Sequence, residues 1–421
     1  MRKVRHLLLS YSHLNKSLSP EIAAGWDLTI LGGLLGSLFS VCQFVVSPRL
    51  GHLSDKLGRR PVLLASMVGN LLSAVLWLFA SNFGVYALSR VVGGLSEGNV
   101  QLSIAAISDV TSPETRSKSL ALVGIAFSVA FTLGPSLGAY FASKTFGLGS
   151  RLTVLGYDLS LNSYAVPAAV TVALLLIETV YLALRLPETR WDRDNQQDKD
   201  EKDHAPTRTL AERKARLGQL ELVHCAFLFF FSGAEFTLTF LTFSLFDYTN
   251  KQNGALLGFV GILSSVLQGG YTRRKAALPA GSSKLVVSGM RACTLSLALL
   301  AALPFLPYWP SVSSPASVAL YSAAAGLAFV SATVVNSLNA LASLETGQGI
   351  EKGRALGRFR SSGQLGRALG PVACTGVYFC FGPEWAYGIA AVGCGVVAGR
   401  MARLVNRAGP VAAVQKEKKD L

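Results

Sequence analysis

The sequence predicts an all-α polytopic membrane protein because of its composition and the length of its apolar runs. Hydrophobic residues make up 51% of the 421 residues and charged residues only 15%. A soluble domain usually carries about 25% charged residues. The apolar residues also fall in long uninterrupted runs, and a helix that crosses a bilayer needs roughly 20 of them.

About eleven of these runs are long enough to cross a bilayer as helices. The weakest are the short run at 254–271 and the run at 386–404, which contains Arg400. In chain order the predicted spans lie at residues 28–48, 62–80, 84–107, 118–142, 163–186, 219–246, 254–271, 285–307, 315–342, 359–382 and 386–404.

Basic residues occupy every second connection between the runs, and the connections between them are nearly free of charge. Cytoplasmic loops of membrane proteins carry an excess of Lys and Arg, so the basic connections are predicted to be cytoplasmic. This alternation supports the span count independently. The basic groups are Arg49 to Arg60, Arg116 and Lys118, residues 190–216, Arg273 to Lys284, Lys352 to Arg358, and Lys416 to Lys419.

Composition and motifs also argue against several classes of function. The net charge of +15 lies in short loops and not in a basic patch with aromatic residues, so no nucleic-acid partner is expected. The six Cys stand singly, without C-x-x-C, and no metal or cofactor is expected. No H-E-x-x-H, G-x-S-x-G or phosphate-binding loop occurs, which argues against an enzyme and against ATP as energy source.

A charged segment at 187–217 divides the chain and is predicted to be a flexible cytoplasmic linker. It separates an N-terminal helix bundle at 26–186 from a C-terminal bundle at 218–404. A short segment at 1–25 precedes the first bundle and a cytoplasmic tail at 405–421 follows the second.

The most specific motif lies between the first two predicted spans. It is Gly51-His-Leu-Ser-Asp55-Lys56-Leu-Gly58-Arg59-Arg60-Pro61. It resembles the loop motif G-x-x-x-D-R/K-x-G-R-R/K of the major facilitator superfamily at each defined position. The resemblance implies that Asp55 contacts the cytoplasmic start of the family's eleventh helix and helps to hold the outward-open state.

Further motifs follow in the family's order. Gly134-Pro135-Ser-Leu-Gly138 resembles the antiporter motif of the fifth family helix, where small residues allow helices to approach closely. Gly366, Gly370 and Pro371 repeat this spacing in the second half. The repetition predicts a major-facilitator fold of two pseudo-symmetric helix bundles around a central cavity.

In the runs at 32–37 and 231–238, the chain resembles most closely the eukaryotic tetracycline-transporter-like, drug:proton antiporter type of this family. Only one predicted span precedes the loop motif, where the family has two, so family helix 1 is apparently absent. If the next helix keeps its orientation, residues 1–25 are not cytoplasmic, and the sequon at Asn15 becomes a glycosylation candidate.

Ionisable residues inside apolar runs are costly and are usually functional. Glu235 is the candidate proton-carrying carboxylate, because burial disfavours its charged form. Arg90 and Arg367 are candidates to contact an anionic substrate. Glu97, seven residues after Arg90, is predicted to share its helix face. For each of these residues, a structural pair between helices is the alternative. Gln101 and Asn336 are candidate polar contacts in the cavity.

Together these features predict a proton-coupled secondary transporter of small organic solutes, working by alternating access. The resemblance suggests amphipathic organic anions or drug-like molecules as substrates, and protons as the coupling ion. The alternative is a non-transporting truncated isoform, or a scaffold or regulator that retains the fold. The protein is expected in the plasma membrane or an endomembrane, as a monomer.

Overall fold

The computed structural model describes residues 20–143, 151–154, 157–160, 165–190, 209–278, 280–307, 314–346 and 349–407. Nearly all of these residues are helical. The helices are α1 Pro20–Leu57, α2 Arg59–Leu78, α3 Phe83–Ser96, α4 Asn99–Val110, α5 Pro113–Ser143, α6 Ala165–Arg185, α7 Leu210–Phe246, α8 Asn250–Leu267, α9 Arg273–Ala276, α10 Gly281–Ala302, α11 Pro315–Leu344, α12 Lys352–Phe381 and α13 Pro383–Arg407.

The first helix is longer than a membrane span, and most of the predicted loop motif is helical. At 1.5 Å per residue, 38 residues reach about 57 Å, well beyond the hydrocarbon thickness. The helix ends only at Leu57, and α2 begins at Arg59. Gly58 alone makes the turn, at a φ of 103° that disfavours any residue with a Cβ.

The predicted span at 84–107 is broken into α3 and α4. The break falls at Glu97 and Gly98, and Glu97 is the C-terminal cap of α3. α8 ends in one π-helical turn, Gln268–Thr272, which continues into α9. Helix irregularities of this kind redirect side chains into the protein, and Glu97 and Gln268 both lie at such points.

Two elements differ from the sequence-based prediction. A short antiparallel hairpin, β1 Arg151–Val154 and β2 Tyr157–Ser160, stands before α6, with Arg151 opposite Ser160. α7 begins at Leu210 and is continuous through the last eight residues assigned to the linker. A capping box fixes that start, since Thr209 and Glu212 each accept the other's backbone N–H.

The helix α12 lies at the centre of the bundle, packed along both α1 and α7. α1 and α12 are antiparallel, and they contact each other at successive turns along their length. Added Cβ atoms on Gly353 and Gly357 would meet the carbonyl oxygens of Gly51 and Ser47. Nearer the start of α1, the Ser37 hydroxyl donates to the carbonyl of Ala368 at 2.8 Å.

Pro48 shows how the two helices compensate for a defect in one of them. Proline has no N–H, so the carbonyl of Phe44, four residues earlier, loses its helical donor. The hydroxyl of Ser361 on α12 donates to that carbonyl at 2.6 Å. A carbonyl left unpaired in the bilayer would cost several kcal/mol, and the contact between helices removes this cost.

α7 and α12 run parallel and approach each other through glycine. A Cβ on Gly366 or Gly370 would meet the carbonyl of Cys225 or of Phe229, and one on Gly233 would meet the carbonyl of Gly370. Such close contact maximises dispersion attraction where lipid removes the hydrophobic drive for helix association. The main buried core adjoins this contact, in α7, α10, α11 and α12.

Among the described residues, eight helices are long and apolar enough to cross a membrane. Their outer faces are apolar too. The exposed fraction is 78% for Leu184, 71% for Leu295 and 70% for Val392. The interrupted α3–α4, α5 and the polar α12 are not among the eight, and the predicted count of eleven stays a prediction.

Gly370→Ala should destabilise the protein, and Gly376→Ala on the same helix should not. The first methyl group must displace the α7 backbone, whereas the second would meet open space and favours helix by about 1 kcal/mol. Thermal unfolding in detergent measures both variants. A Gly370→Ala variant as stable as wild type would contradict the close α7–α12 contact.

Candidate transport cavity and cytoplasmic seal

A cavity of about 250 Å³ lies between α1, α7 and α12. α1 contributes only small residues to its wall, and the larger side chains come from α7 and α12. Two of its lining groups are charged, one of each sign. The lining residues are Gly33, Gly36, Ser37, Ser40, Ser232, Glu235, Phe236, Arg367 and Pro371.

Glu235 and Arg367 both line this cavity. Arg367 attracts the Glu235 carboxylate electrostatically. Among the described residues, neither side chain forms a hydrogen bond or an ion pair within 4.0 Å. Because each has bonding capacity that the protein leaves unused, this arrangement can bind a charged or strongly polar ligand. Both residues were candidates from the sequence, and the structure brings them together.

Between the cavity and the basic loops, three polar side chains lie together in the contact between α1 and α12. They are Gln43, Arg360 and Gln364. With the Gln364 amide oriented to satisfy its neighbours, its nitrogen donates to Gln43 Oε1 at 3.0 Å. Its oxygen then accepts from Arg360 Nε and Nη2 at 3.1 and 3.2 Å. Gln43 and Gln364 are each 4% exposed. Arg360 was not among the candidate residues predicted from the sequence, because it lies at the predicted boundary of its span.

Glu97 lies near Arg360 and not with Arg90. Its carboxylate accepts a hydrogen bond of 3.4 Å from Asn70 Nδ2, and Arg360 attracts it electrostatically. The break after Glu97 explains why the seven-residue spacing misled. That spacing places two residues on one face only while the helix continues regularly.

Arg90 lies instead among aromatic rings. Its guanidinium carbon is 5.8 Å from the ring centre of Phe39, 5.7 Å from that of Trp77 and 5.5 Å from that of Tyr86. Rings at these distances stabilise a cation through their quadrupoles. Arg90 therefore has a structural environment of its own, outside the cavity that Glu235 and Arg367 line.

The two polar candidates also lie elsewhere. Gln101 donates to the carbonyl of Ser47 at 2.9 Å and ties α4 to α1. Asn336 lies on α11, facing Gly124 of α5 next to Gln268. Neither lines the cavity.

At the end of the bundle nearest the basic loops, four buried charged side chains form a cluster, the seal, centred on Asp55. The others are Arg59, Asp109 and Lys352. The two oxygens of Asp55 accept the backbone N–H groups of Gly353 and Arg354 at 2.9 and 2.7 Å. These groups belong to the first turn of α12, where the helix dipole also favours a negative charge. Asp55 thus joins the end of α1 to the start of α12.

Arg59 extends the seal to α4. It donates to Asp55 Oδ1 and, through Nε, to Asp109 Oδ2, each at 2.8 Å. The ammonium of Lys352 lies 3.2 Å from Asp109 Oδ1 and donates to the carbonyl of Ser108 at 2.9 Å. All four charged side chains are less than 10% exposed, so the pairs are poorly screened by water.

The other residues of the loop motif are more peripheral. Gly51 packs against Gly353, Lys56 is exposed, and the guanidinium of Arg60 donates to the carbonyl of Ala183. The carboxylate of Glu188 accepts the backbone N–H groups of Arg59 and Arg60 at 2.8 and 3.0 Å and caps α2. Its place in Leu186-Pro-Glu-Thr189 was the only sequence signal of this role.

The predicted packing motifs are found in different settings. Gly366 and Gly370 contact the α7 backbone, and Pro371 lines the cavity. At Gly134 a Cβ would meet open space. Pro135 and Gly138 lie within α5. Asn15 lies outside the described residues, as do the predicted course of the N-terminus and the predicted absence of a preceding helix.

A bundle of apolar helices that holds a polar cavity, closed on one side by buried ion pairs, defines an integral membrane transporter. The comparisons with known proteins give its family. The profile described as Major Facilitator Superfamily matches residues 8–371, and the chain belongs to that family. Its members transport small organic solutes across membranes and are not enzymes.

The similarity extends to particular relatives. "Major facilitator superfamily domain-containing protein 10" of Mus musculus is 35% identical over 370 residues, which cover 85% of this chain and 75% of the relative. The class H tetracycline resistance protein of Pasteurella multocida is 34% identical over 106 residues, covering 25% of this chain and 26% of that protein. These matches confirm the predicted tetracycline-transporter-like resemblance.

Two solved structures are similar to this chain. The crystal structure of the human organic anion transporter MFSD10 (TETRAN) aligns with a TM-score of 0.74 at 28% identity, over 93% of this chain and 87% of that one. The proton:xylose symporter XylE aligns with a TM-score of 0.67 at 16% identity, over 92% and 88%. The second match shows a shared fold only.

Asp55→Asn should loosen the seal, whereas Lys56→Gln should leave it intact. The first change removes a buried charge that Arg59 and the start of α12 both need, and the second alters an exposed side chain. Spin labels at the exposed positions Leu57 and Arg358 would report the separation of α1 and α12 by pulsed electron resonance. An unchanged distance distribution in Asp55→Asn would contradict the role assigned to Asp55.

Proposed function

We propose that this protein is a proton-coupled transporter of amphipathic organic anions that works by alternating access. One observation carries the proposal: Glu235 and Arg367 face the same cavity, and neither is tied to a partner by a hydrogen bond or close ion pair among the described residues. A fixed structural pair would have used the bonding capacity of both groups.

Arg367 is the proposed contact for the anionic group of the substrate. A guanidinium presents a planar set of donors that matches carboxylate and related anions, and it stays protonated in proteins. Phe236 and the apolar side of Pro371 line the same cavity and suit an apolar substrate body. The amphipathic character proposed for the substrate follows from this combination.

Glu235 is the proposed proton-binding group. Desolvation favours its neutral form, while the nearby guanidinium favours its charged form. A substrate anion that engages Arg367 alters this balance. Proton binding and anion binding are therefore coupled at one cavity, and such coupling is necessarily reciprocal.

The Asp55 seal supports the alternating-access part of the proposal. It closes the cytoplasmic side in this conformation, through hydrogen bonds and ion pairs that separate when α1 and α12 move apart. The structure is thus assigned to the cytoplasm-closed stage of a transport cycle.

Glu235→Gln should abolish stimulation of uptake by a pH gradient, because the amide cannot exchange a proton. The matched control is Glu221→Gln on the same helix, whose carboxylate lies 3.7 Å from Arg358, away from the cavity. Uptake of 6-carboxyfluorescein into proteoliposomes, under pH gradients of either sign, measures the effect. Gradient stimulation in Glu235→Gln equal to that of wild type would exclude Glu235 as the coupling group.

Arg367→Gln should raise the KM for an organic anion by about 10- to 100-fold, the equivalent of one charge-assisted hydrogen bond of about 1.5–3 kcal/mol. Arg367→Lys should retain part of the affinity, because it keeps the charge but loses the planar set of donors. Saturation curves for uptake give the three KM values. A KM independent of the residue at 367 would remove Arg367 from the binding site.

A further inference from the structure

Three exposed cationic side chains lie on the outer surface of the contact between α10 and α13, two helices that do not line the transport cavity. They are Lys284 and Arg291 on α10 and Arg403 on α13. Lys284 and Arg291 are seven residues apart and therefore share one face of α10. Among the described residues, no carboxylate lies within 4.0 Å of any of the three, so their charges have no close partner.

The contact between α10 and α13 has a definite register. The sulfur atoms of Cys293 and Cys394 are 3.7 Å apart. The two helices are antiparallel, since α10 begins and α13 ends on the side of the basic loops. Five residues from each thiol toward that side, Ser288 therefore lies opposite Gly399. By the same count, Lys284 lies opposite Arg403.

This register brings two guanidinium groups to the same level. Arg403 Nε donates to the carbonyl of Gly399 at 3.5 Å, so its side chain runs back along α13 to that glycine. A side chain in a helix covers the turn that precedes its own Cα, so Arg291 covers the turn of Ser288, opposite Gly399. A Cβ on Gly399 would meet open space, so the surface between the two cations is open.

The surface faces lipid and not water. The segment from Gly281 to Phe305 has 25 residues and is about 37 Å long, against a hydrocarbon thickness of about 30 Å. Arg291 lies ten residues, or about 15 Å, from its start. Its neighbours on this surface are apolar, since Leu295 is 71% exposed and Val396 is 66% exposed. A cation at this depth is costly without a counter-charge.

The two helices supply no such counter-charge. α10 contains no acidic residue, and the one acidic residue of α13, Glu384, lies in its first turn at the opposite end of the helix. Arg400, exposed one turn from Arg403, adds a further positive charge. The missing negative charge must therefore come from outside these helices, and at this depth the available anions are lipid headgroups.

We propose that this surface binds an anionic phospholipid of the cytoplasmic leaflet. Its phosphate lies between Arg291 and Arg403, because a guanidinium presents a fork of donors that matches phosphate oxygens. Lys284, nearer the end of the helix, faces the rest of the headgroup. An acyl chain lies along Gly399 and Leu295. A zwitterionic phospholipid fits less well, since it brings no net charge to offset the cations.

Quenching of a tryptophan reporter by brominated lipids measures the lipid composition next to this surface. The reporter is Leu295→Trp, in a full-length chain whose five native tryptophans are replaced by phenylalanine. The protein is reconstituted into mixtures of brominated phosphatidylglycerol with phosphatidylcholine, and into the reverse mixtures. The reporter should show a preference of about fivefold for the anionic lipid, as expected for direct contact with a cation.

Arg291→Gln combined with Arg403→Gln should reduce this preference to within about twofold of one. Arg49→Gln is the matched control, because Arg49 is also exposed and donates to the carbonyl four residues earlier, but on α1. It should leave the preference unchanged. A double variant that keeps the fivefold preference, or a parent chain with none, would overturn the proposed lipid site.

A second reporter separates this site from a general attraction of the basic protein for anionic lipid. Leu72→Trp on α2 is similarly far from the start of its helix, and Leu72 is 53% exposed. It should show no preference in the parent chain or in the double variant. An equal preference at both reporters would contradict a local site.

Inorganic phosphate, compared with chloride at equal ionic strength, should leave the preference at Leu295→Trp unchanged. Its loss in phosphate would show that the cations bind a free anion and would overturn the assignment to lipid. These measurements need no transported substrate, so they are independent of the proposed transport function.

Discussion

The structure depends on the need to compensate buried positive charge along one face of α12. Lys352, Arg360 and Arg367 follow one another at intervals of eight and seven residues, and each lies near a carboxylate from another helix. Asp109 lies near the first, Glu97 near the second and Glu235 near the third. Because a charge inside a membrane protein is expensive without compensation, α12 holds the surrounding helices in register with it.

The number of close hydrogen bonds and ion pairs falls from the end nearest the basic loops toward the cavity. At the seal, Lys352 and Asp109 form an ion pair of 3.2 Å, reinforced by Arg59. At the next level, Arg360 bonds to Gln364 and is only attracted by Glu97. At the cavity, Arg367 and Glu235 have no close bond among the described side chains. The tightest pairs therefore maintain a conformation, and the loosest remain open to a ligand.

The sequence was sufficient for the class, the family and the main cavity charges, since long apolar runs and isolated charges within them have direct physical meanings. It was not sufficient for geometry set by irregular backbone. The motif from Gly51 to Leu57 looked like a loop because it is polar, yet nothing in it breaks a helix before Gly58. The spacing of Arg90 and Glu97 implied a shared face, but the break at Gly98 separates them. Arg360 was missed because it lies at the predicted start of its span, where a long cationic side chain usually reaches water.

Pro48 has a consequence for water. The Phe44 carbonyl has its hydrogen bond only while Ser361 of α12 lies against α1. When the two helices part, that carbonyl needs a new donor, and lipid chains have none. Hydration of the widening gap satisfies it at little cost. Separation of α1 from α12 is thus coupled to hydration of the Phe44 carbonyl, which follows Gln43 in the chain and borders the polar contact of Gln43 with Gln364.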